Sequence, residues 1–250
     1  FHYRFHLKFK SMKKKINTGD NISTTKGMWK FDKKTSKNFD NHVSKSVPLY
    51  EEGHKLISDL SDFFISNKST VYDIGCSTGS LIEKILKNNS KKNFKIYGID
   101  SEKSMINISK KRLKKYYQCT LKCNDITKVK LKKSDLIISY YTIQFIHPKL
   151  RQLLLNKLYE SLNWGGALIV FEKVRSPDAR FQDITTQLYN EFKMMNGYSK
   201  DEILSKTLSL KGVLEPFSTQ GNLDLFKRAG FVDITTISKY ICFEGFLLIK

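Results

Sequence analysis

A short glycine turn flanked by two acids constrains the fold of this 250-residue chain more than any other feature. The segment Asp73-Ile74-Gly75-Cys76-Ser77-Thr78-Gly79 ends a short apolar run and precedes apolar residues at helical spacing over residues 81–86. Asp100 ends a second apolar run about twenty residues later. A strand, a tight turn, a helix and a second strand in this order predict a parallel βαβ unit with a ligand site at the turn.

Each part of the turn has a separate role in binding. Gly75 lets the backbone approach a ligand closely, and Gly79 permits tight packing of the strand against the helix. Asp100 can accept hydrogen bonds from both hydroxyls of a ribose, and Asp73 places negative charge near an ammonium or sulfonium group. A dinucleotide-binding turn prefers three glycines, whereas Ser77 stands where the middle glycine would be. The combination predicts S-adenosylmethionine (SAM) rather than NAD as the cofactor.

The remaining pattern predicts the fold class. Strand-like and helical segments alternate from residue 71 to residue 171, which is typical of a mostly parallel sheet covered on both faces. Gly165-Gly166 is expected to turn the chain into a strand over residues 167–171. Strands at 231–237 and 243–249 leave no room for a crossover helix, so they are expected to pair antiparallel. The sequence therefore predicts an α/β, Rossmann-like class I methyltransferase fold with a seven-stranded, mostly parallel sheet and an antiparallel last strand.

Two segments lie outside this alternation. Residues 1–27 are basic and are expected to form a disordered tail, which places the SAM-binding domain at residues 28–250. The polar, helical stretch at residues 177–216 is expected to be an insertion that forms either a lid over the site or a dimer contact.

The formal net charge of +20 leaves two interpretations of the surface. The lysines are scattered along the chain, so a generally basic surface is favoured over direct nucleic-acid binding. The four cysteines form no Cys-x-x-Cys pair and have no His at ligand spacing, so no metal site is predicted and a reduced, cytoplasmic protein is expected. Because no apolar run approaches the roughly 20 residues of a membrane helix, no membrane partner is predicted.

Several further segments resemble the carboxy-S-adenosyl-L-methionine (carboxy-SAM) synthases, formerly described as tRNA wobble-uridine (cmo5U34) methyltransferases, within the class I SAM-dependent methyltransferase superfamily. These segments are Ser46-Val47-Pro48 with Tyr50, Thr142-Ile143-Gln144-Phe145, Leu162-Asn163-Trp164-Gly165-Gly166-Ala167-Leu168, Glu172-Lys173, and Phe192 with Asn196-Gly197-Tyr198-Ser199. The resemblance implies conversion of SAM and prephenate into carboxy-SAM and phenylpyruvate. It also implies a homodimer and a product that a partner enzyme uses to modify the tRNA wobble uridine.

The resemblance carries over a set of cofactor contacts, namely Tyr50, Gly75, Cys76, Ser77, Asp100, Ser101, Asp125 and Ile126. Two positions depart from the family pattern. Tyr140 stands where the family usually has Asn beside the sulfonium, and Thr207 stands where a family Arg grips the added carboxylate. A Thr hydroxyl does not replace that charge, and the adjacent Lys206 is expected to face elsewhere if the segment is helical.

These departures favour ordinary methyl transfer from SAM to a small acidic metabolite. The alternative is the family's own carboxy-SAM synthesis, and a further alternative is a non-catalytic SAM- or tRNA-binding protein. Sites in open α/β sheets form beyond the carboxyl ends of the strands, which makes Glu172, His147 and Tyr140 the candidate catalytic residues. The candidate substrate-binding residues are Lys206, Thr207, Gln144 and Arg180.

Overall fold

The computed structural model of the protein describes residues 16–20, 22–29, 31 and 33–250. The strands in this part of the chain are β1 (Ile16–Asn17), β2 (Ser23–Thr24), β3 (Thr70–Ile74), β4 (Lys95–Asp100), β5 (Cys119–Cys123), β6 (Ser134–Tyr140), β7 (Leu162–Lys173), β8 (Asp233–Tyr240) and β9 (Phe243–Ile249). The helices are α1 (Lys33–Lys37), α2 (Phe39–Ser46), α3 (Tyr50–Phe64), α4 (Ser80–Asn88), α5 (Lys103–Arg112), α6 (Pro148–Ser161), α7 (Ala179–Met195), α8 (Lys200–Ser209) and α9 (Thr219–Ala229). A 3₁₀ turn covers Ile143–Phe145.

One mixed sheet of seven strands forms the centre of the described structure, in the order β5-β4-β3-β6-β7-β9-β8. The strands from β5 to β7 pair parallel, and β9 runs antiparallel to both β7 and β8. This confirms the predicted fold class. The direction of chain progression reverses between β3 and β6, and the crevice at the carboxyl ends of such neighbouring strands is where open α/β sheets bind ligands.

Helices bury both faces of the sheet, which explains why its central strands read as continuous apolar runs. On one face, Ile57 of α3 and the apolar residues Leu81, Ile82 and Ile85 of α4 pack against β3 and β6. On the other face, Leu155 of α6 and Phe226 of α9 pack against β6, β7 and β9. The core therefore holds the strand ends, and the loops that follow them, in fixed positions.

β7 begins earlier than the sequence predicts. It starts at Leu162, whereas the sequence predicts a turn at Gly165-Gly166 and a strand only from residue 167. Leu162 pairs with Ser134 and Ala167 with Leu136, so the residues between them bulge out of register. Gly165 adopts a φ of 75°, and its N–H donates to the Lys250 carbonyl oxygen (2.8 Å), which keeps the segment within the sheet.

Part of the predicted disordered tail is folded. β1 and β2 pair antiparallel, and Thr18 and Ile22 between them are buried. The Gly27 N–H donates to the Leu208 carbonyl oxygen, so this segment is fastened to α8. The structure thus differs from the prediction over residues 16–20 and 22–27, because these contacts are distant in sequence and leave no periodic pattern. The rest of the predicted tail, residues 1–15 and 21, lies outside the described residues.

The predicted insertion contains α7 and α8. Asp178 accepts a hydrogen bond from the Phe181 N–H at the start of α7, and Ser199 with Glu202 forms a capping box at the start of α8. No helix among the described residues combines the length and the apolar character that crossing a membrane requires.

Candidate active site

A cavity of about 500 Å³ lies beyond the carboxyl ends of β3, β4 and β6. The glycine turn, α2, α3, the loop after β6 and α8 all contribute to its lining. Most of the predicted cofactor contacts meet there, namely Tyr50, Asp73, Gly75, Cys76, Ser77, Asp100, Ser101, Asp125, Ile126 and Tyr140. The volume is in the range of small-molecule sites in general.

The glycine turn is held by backbone hydrogen bonds and by Asp100. The Gly75 N–H donates to the Ile99 carbonyl oxygen (2.7 Å), and Gly75 adopts a φ of 77°. Ser77 also has a positive φ, 50°, and its N–H donates to Asp100 Oδ2 (2.9 Å). The second Asp100 oxygen accepts the Glu102 N–H (2.8 Å). Asp100 is therefore fixed at the end of β4 with free lone pairs for ligand hydroxyls.

Gly79 has a different role from Gly75. It lies outside the cavity lining, and a Cβ atom there would come within 2.8 Å of Leu113 Cδ1. The missing side chain therefore lets α5 pack against the start of α4, whereas the sequence predicts for this glycine the packing of a strand against a helix. Gly79 does not belong among the residues that face the cofactor.

Asp73 is the strongest sign of a cationic ligand. Its side chain lines the cavity, only 2% of the residue is exposed, and no hydrogen-bond donor among the described residues reaches its carboxylate. Burial, with a smaller contribution from Asp100, raises the pKa of Asp73 to about 7. A buried carboxylate without a partner is costly unless a cation joins it. The ammonium and sulfonium groups of SAM supply such a charge, so the residues present fit this cofactor.

An aromatic cluster stands beside the glycine turn. The rings of Tyr50, His54 and Tyr141 surround Tyr140, with centroids 5.1, 4.8 and 4.6 Å away. The Tyr140 hydroxyl donates to the Tyr50 carbonyl oxygen (2.7 Å), and burial raises the pKa of Tyr140 above its usual range. Tyr140 thus serves as a wall that can stabilise a sulfonium through its π-face, and the predicted role of catalytic base does not fit.

Glu172, predicted as a catalytic base, lies outside the cavity lining. Its carboxylate accepts the Ile143 N–H (3.0 Å) and holds the 3₁₀ turn after β6. Burial raises the pKa of Glu172 to about 8, although the Arg151 charge opposes the shift. Side chains alternate along a strand, so the neighbouring Lys173 faces the cavity instead.

The other candidates divide between the cavity and the surface. His147 lines the cavity mouth but is exposed, and its Nδ1 accepts the Lys149 N–H (3.3 Å) as the cap of α6. Gln144 also lines the cavity. Its Nε2 donates to the Tyr141 carbonyl oxygen, and its Oε1 accepts the Lys173 N–H. Arg180 is exposed outside the lining and lies over the Phe181 ring, so the structure does not bring it together with the other predicted substrate-binding residues.

The structure reverses the expectation for Lys206 and Thr207. Thr207 lies outside the lining, and its hydroxyl donates to the Ile203 carbonyl oxygen within α8. Lys206 faces the cavity, with Nζ 2.8 Å from His42 Nε2 and above the Trp29 ring. The sequence did not determine which face of α8 points inward, because successive helical residues are about 100° apart.

Lys206 belongs with Lys173 and Lys193 to a group of three lysines that we call the basic wall. Lys193 is buried, whereas Lys173 and Lys206 are half-buried and line the cavity. The Lys173 and Lys193 Nζ atoms lie over the Tyr189 ring, 4.2 and 4.3 Å from its centroid. Within the described residues, none of the three has a carboxylate within 4.0 Å. Burial lowers the pKa of all three, that of Lys193 to about 8. The cavity lining thus combines the acids of the glycine turn with two lysines, Lys173 and Lys206, that have no carboxylate within 4.0 Å among the described residues.

Replacing Gly75 with alanine is expected to abolish SAM binding. The new Cβ atom would lie 2.0 Å from Thr142 Oγ1, and the positive φ adds a strain of about 1–2 kcal/mol. Gly212→Ala is the matched control, because Gly212 has a φ of 71° and no atom within 4 Å of its Cβ position. Titration calorimetry and thermal melting should show strain in both variants and lost SAM binding only in Gly75→Ala. Normal SAM binding by Gly75→Ala would contradict this view of the turn.

The fold, the glycine turn and the orphan carboxylate of Asp73 define a class I SAM-dependent transferase. The family described as "Methyltransferase domain" matches residues 72–168. A solved structure of a putative O-methyltransferase from Nostoc punctiforme superposes with a TM-score of 0.63 at 17% identity, covering 87% of this chain and 59% of that one. At this identity the likeness concerns the fold alone.

Curated relatives identify the family within this class. The chain is 35% identical to the carboxy-S-adenosyl-L-methionine synthase of Campylobacter jejuni over 90% of its own length and 95% of that protein. It is 34% identical to the enzyme of the same name from Staphylococcus epidermidis, over 89% of this chain and 97% of that protein. The chain belongs to the carboxy-SAM synthase family. It is an enzyme with SAM as its cofactor or substrate, as the sequence predicts.

Proposed function

We propose that this enzyme transfers a carboxyl group to the methyl carbon of SAM, with prephenate as the carboxyl donor. The observation that carries the proposal is the basic wall, because two of its lysines, Lys173 and Lys206, line the same cavity as the acids of the glycine turn. Bound SAM supplies an activated methyl carbon. These lysines would also hold an acidic methyl acceptor, so membership of the carboxy-SAM synthase family is what favours carboxyl transfer over ordinary methyl transfer.

The charges of the proposed ligands match both the acids and the lysines of the cavity lining. Prephenate is a dicarboxylate, and carboxy-SAM carries one carboxylate more than SAM. Each buried ammonium of the basic wall is costly alone and becomes favourable when a carboxylate joins it. Lys206 and Lys173 reach the cavity and can hold such groups as point charges. Lys206 thereby supplies the positive charge that Thr207 lacks.

The described residues offer few bases for removing the methyl proton. Glu172 is turned away from the cavity, Tyr140 donates its proton to a backbone carbonyl oxygen, and His147 caps a helix at the mouth. The proposed donor, prephenate, itself supplies the base that removes this proton. Prephenate loses its ring carboxyl group and its hydroxyl when it becomes phenylpyruvate, and the departing hydroxide takes up the methyl proton as water. The protein then binds, aligns and excludes solvent.

A single incubation tests the proposal. Purified enzyme with SAM and prephenate should form carboxy-SAM and phenylpyruvate in equal amounts, measured by liquid chromatography with mass spectrometry. Reactions without prephenate should form neither product. Accumulation of S-adenosylhomocysteine with a methylated acid would instead support ordinary methyl transfer to a small acidic metabolite. In the proposed case, the product has the added carboxylate that the resemblance links to tRNA wobble-uridine modification.

We also propose that the enzyme is a homodimer that uses an exposed apolar face of α7. Phe181, Ile184 and Leu188 share this face and are 43, 51 and 47% exposed. The double substitution Ile184→Glu and Leu188→Glu is expected to convert the dimer to a monomer in size-exclusion chromatography with light scattering. Leu153→Glu on α6, where Leu153 is also exposed, should leave the mass unchanged. A monomeric wild-type protein would contradict the proposal.

A further inference from the structure

Lys206 ends a chain of hydrogen bonds that joins three separate segments of the protein. Its Nζ lies 2.8 Å from Nε2 of His42 on α2. Nδ1 of His42 lies 2.7 Å from Oδ2 of Asp20, in the turn between β1 and β2. The Tyr198 hydroxyl, just before α8, donates to the same Asp20 oxygen (2.6 Å). These contacts are distant in sequence and do not arise from local structure.

One arrangement of protons satisfies every member of this chain. Lys206 as an ammonium donates to Nε2 of His42, and the imidazole is neutral with its proton on Nδ1, which donates to the Asp20 carboxylate. A proton on Nε2 would instead point at the ammonium and leave the Nδ1 lone pair facing a carboxylate. The ring is held further by stacking on Trp29, with centroids 5.7 Å apart.

The pKa shifts of His42 and Asp20 agree with this arrangement, whereas burial of Lys206 works against its ammonium form. Burial, followed by the Lys206 charge, lowers the pKa of His42 to about 4, so the imidazole is neutral at neutral pH. Burial would raise the pKa of Asp20, but hydrogen bonds from Tyr198 and His42 bring it below its ordinary value. Burial lowers the pKa of Lys206, and the Asp20 charge opposes this. The other nearby charges are Lys45 on α2, 3.4 Å from Asp20 Oδ1, and Lys193 on α7.

We infer that His42, held by Asp20 and Tyr198, is a positioning residue that aims the Lys206 ammonium at the carboxylate of the ligand and so makes the site prefer carboxy-SAM over SAM. The inference rests on the proposed function. Because His42 takes one of the three ammonium protons of Lys206, the other two remain for the cavity. A lysine is flexible, and a fixed acceptor behind it removes the entropy that ordering would otherwise cost. The β1–β2 segment thereby contributes to specificity through Asp20.

Two substitutions at one position separate this role from simple packing. His42→Gln places an amide atom near the position of Nε2 and can still accept from Lys206, whereas His42→Asn reaches only the position of Nδ1. Titration calorimetry would measure the Kd of carboxy-SAM and of SAM for both variants and wild type. His42→Asn is expected to weaken carboxy-SAM binding about tenfold, the scale of a hydrogen bond to a charged group. SAM binding should change less than about threefold, and His42→Gln should recover most of the loss.

The outcomes are distinct. Unchanged carboxy-SAM affinity in His42→Asn would overturn the inference, as would an equal loss of both ligands in both variants, which a structural role predicts. If the His42 variants do not fold, Asp20→Asn tests the same chain with the imidazole in place, and an unchanged preference for carboxy-SAM would again overturn the inference. Wild-type protein that binds SAM but not carboxy-SAM would overturn the proposed function and the inference with it.

Discussion

Asp73→Asn is expected to lower the affinity for SAM about 100-fold or more while leaving the protein folded. The substitution keeps the size of the side chain and removes the one charge that faces the cationic ligand without a partner among the described residues. Loss of one member of a desolvated charge pair commonly costs a binding interaction this much. Titration calorimetry with SAM at pH 8 measures the effect.

The pH dependence gives a second measure of the same group. The pKa of Asp73 is raised to about 7, so below that pH a cationic ligand must first displace a proton. SAM affinity of the wild type should therefore fall as the pH drops from 8 to 6, relative to Asp73→Asn. The effect of pH on stability is opposite to that of an aspartate in an ion pair, whose lowered pKa makes the folded protein more stable as the pH rises. The raised pKa of Asp73 lowers the stability of the ligand-free protein progressively as the pH rises from about 4 to about 7, and the penalty is complete above that, so the ligand-free variant should melt higher than wild type at pH 8.

Equal pH profiles for SAM binding by wild type and Asp73→Asn would contradict the assignment of the raised pKa to this carboxylate. A matched variant is Asp135→Asn, because Asp135 sits at the opposite, amino-terminal end of the sheet, where it accepts the Thr70 N–H (2.9 Å). That variant should bind SAM normally across the same range. A loss of SAM binding there would mean that general damage to the sheet explains both results.

The glycine turn could be predicted from sequence because its parts are local. Gly75, Ser77 and Asp100 come from one βαβ unit, whose strand and helix periods are visible within about thirty residues. Periodicity also predicts the succession of strands and helices along the chain, including the antiparallel pair at its end. Periodicity does not show which face of a single strand or helix points toward the cavity. The errors at Glu172 and at Lys206 with Thr207 are errors of this kind.

Two neighbouring pairs illustrate the point. Glu172 and Lys173 lie at the end of β7, where a shift of one residue exchanges the two faces of the sheet, and Lys173 is the one at the cavity. Lys206 and Thr207 lie on one turn of α8, and Lys206 is the one that points inward. His42 was missed for another reason, since only folding brings α2, the β1–β2 turn and α8 together. Its signal is a buried histidine with both ring nitrogens engaged.

Lys206→Met is expected to lower the affinity for carboxy-SAM about 100-fold while SAM affinity changes less than about threefold. Methionine fills a similar volume without charge, so the added carboxylate loses its cation and the rest of the ligand keeps its contacts. The catalytic efficiency with prephenate should fall with the carboxy-SAM affinity, because both depend on a carboxylate at the basic wall. Calorimetry with both nucleosides and the product assay measure these effects.

Lys200→Met is the matched control for this prediction, since Lys200 is an exposed lysine on the same helix and lies outside the cavity lining. It should leave both affinities unchanged. The ligand-free Lys206→Met protein should also melt no lower than wild type, because an ammonium held largely out of water without a carboxylate within 4.0 Å destabilises the protein by more than its hydrogen bond to His42 stabilises it. If Lys206→Met binds carboxy-SAM more weakly but melts at a higher temperature than wild type, the Lys206 charge serves ligand binding at the expense of stability. A variant that binds carboxy-SAM as well as wild type would show that another group holds the carboxylate, and Lys173 is then the remaining cation of the cavity lining.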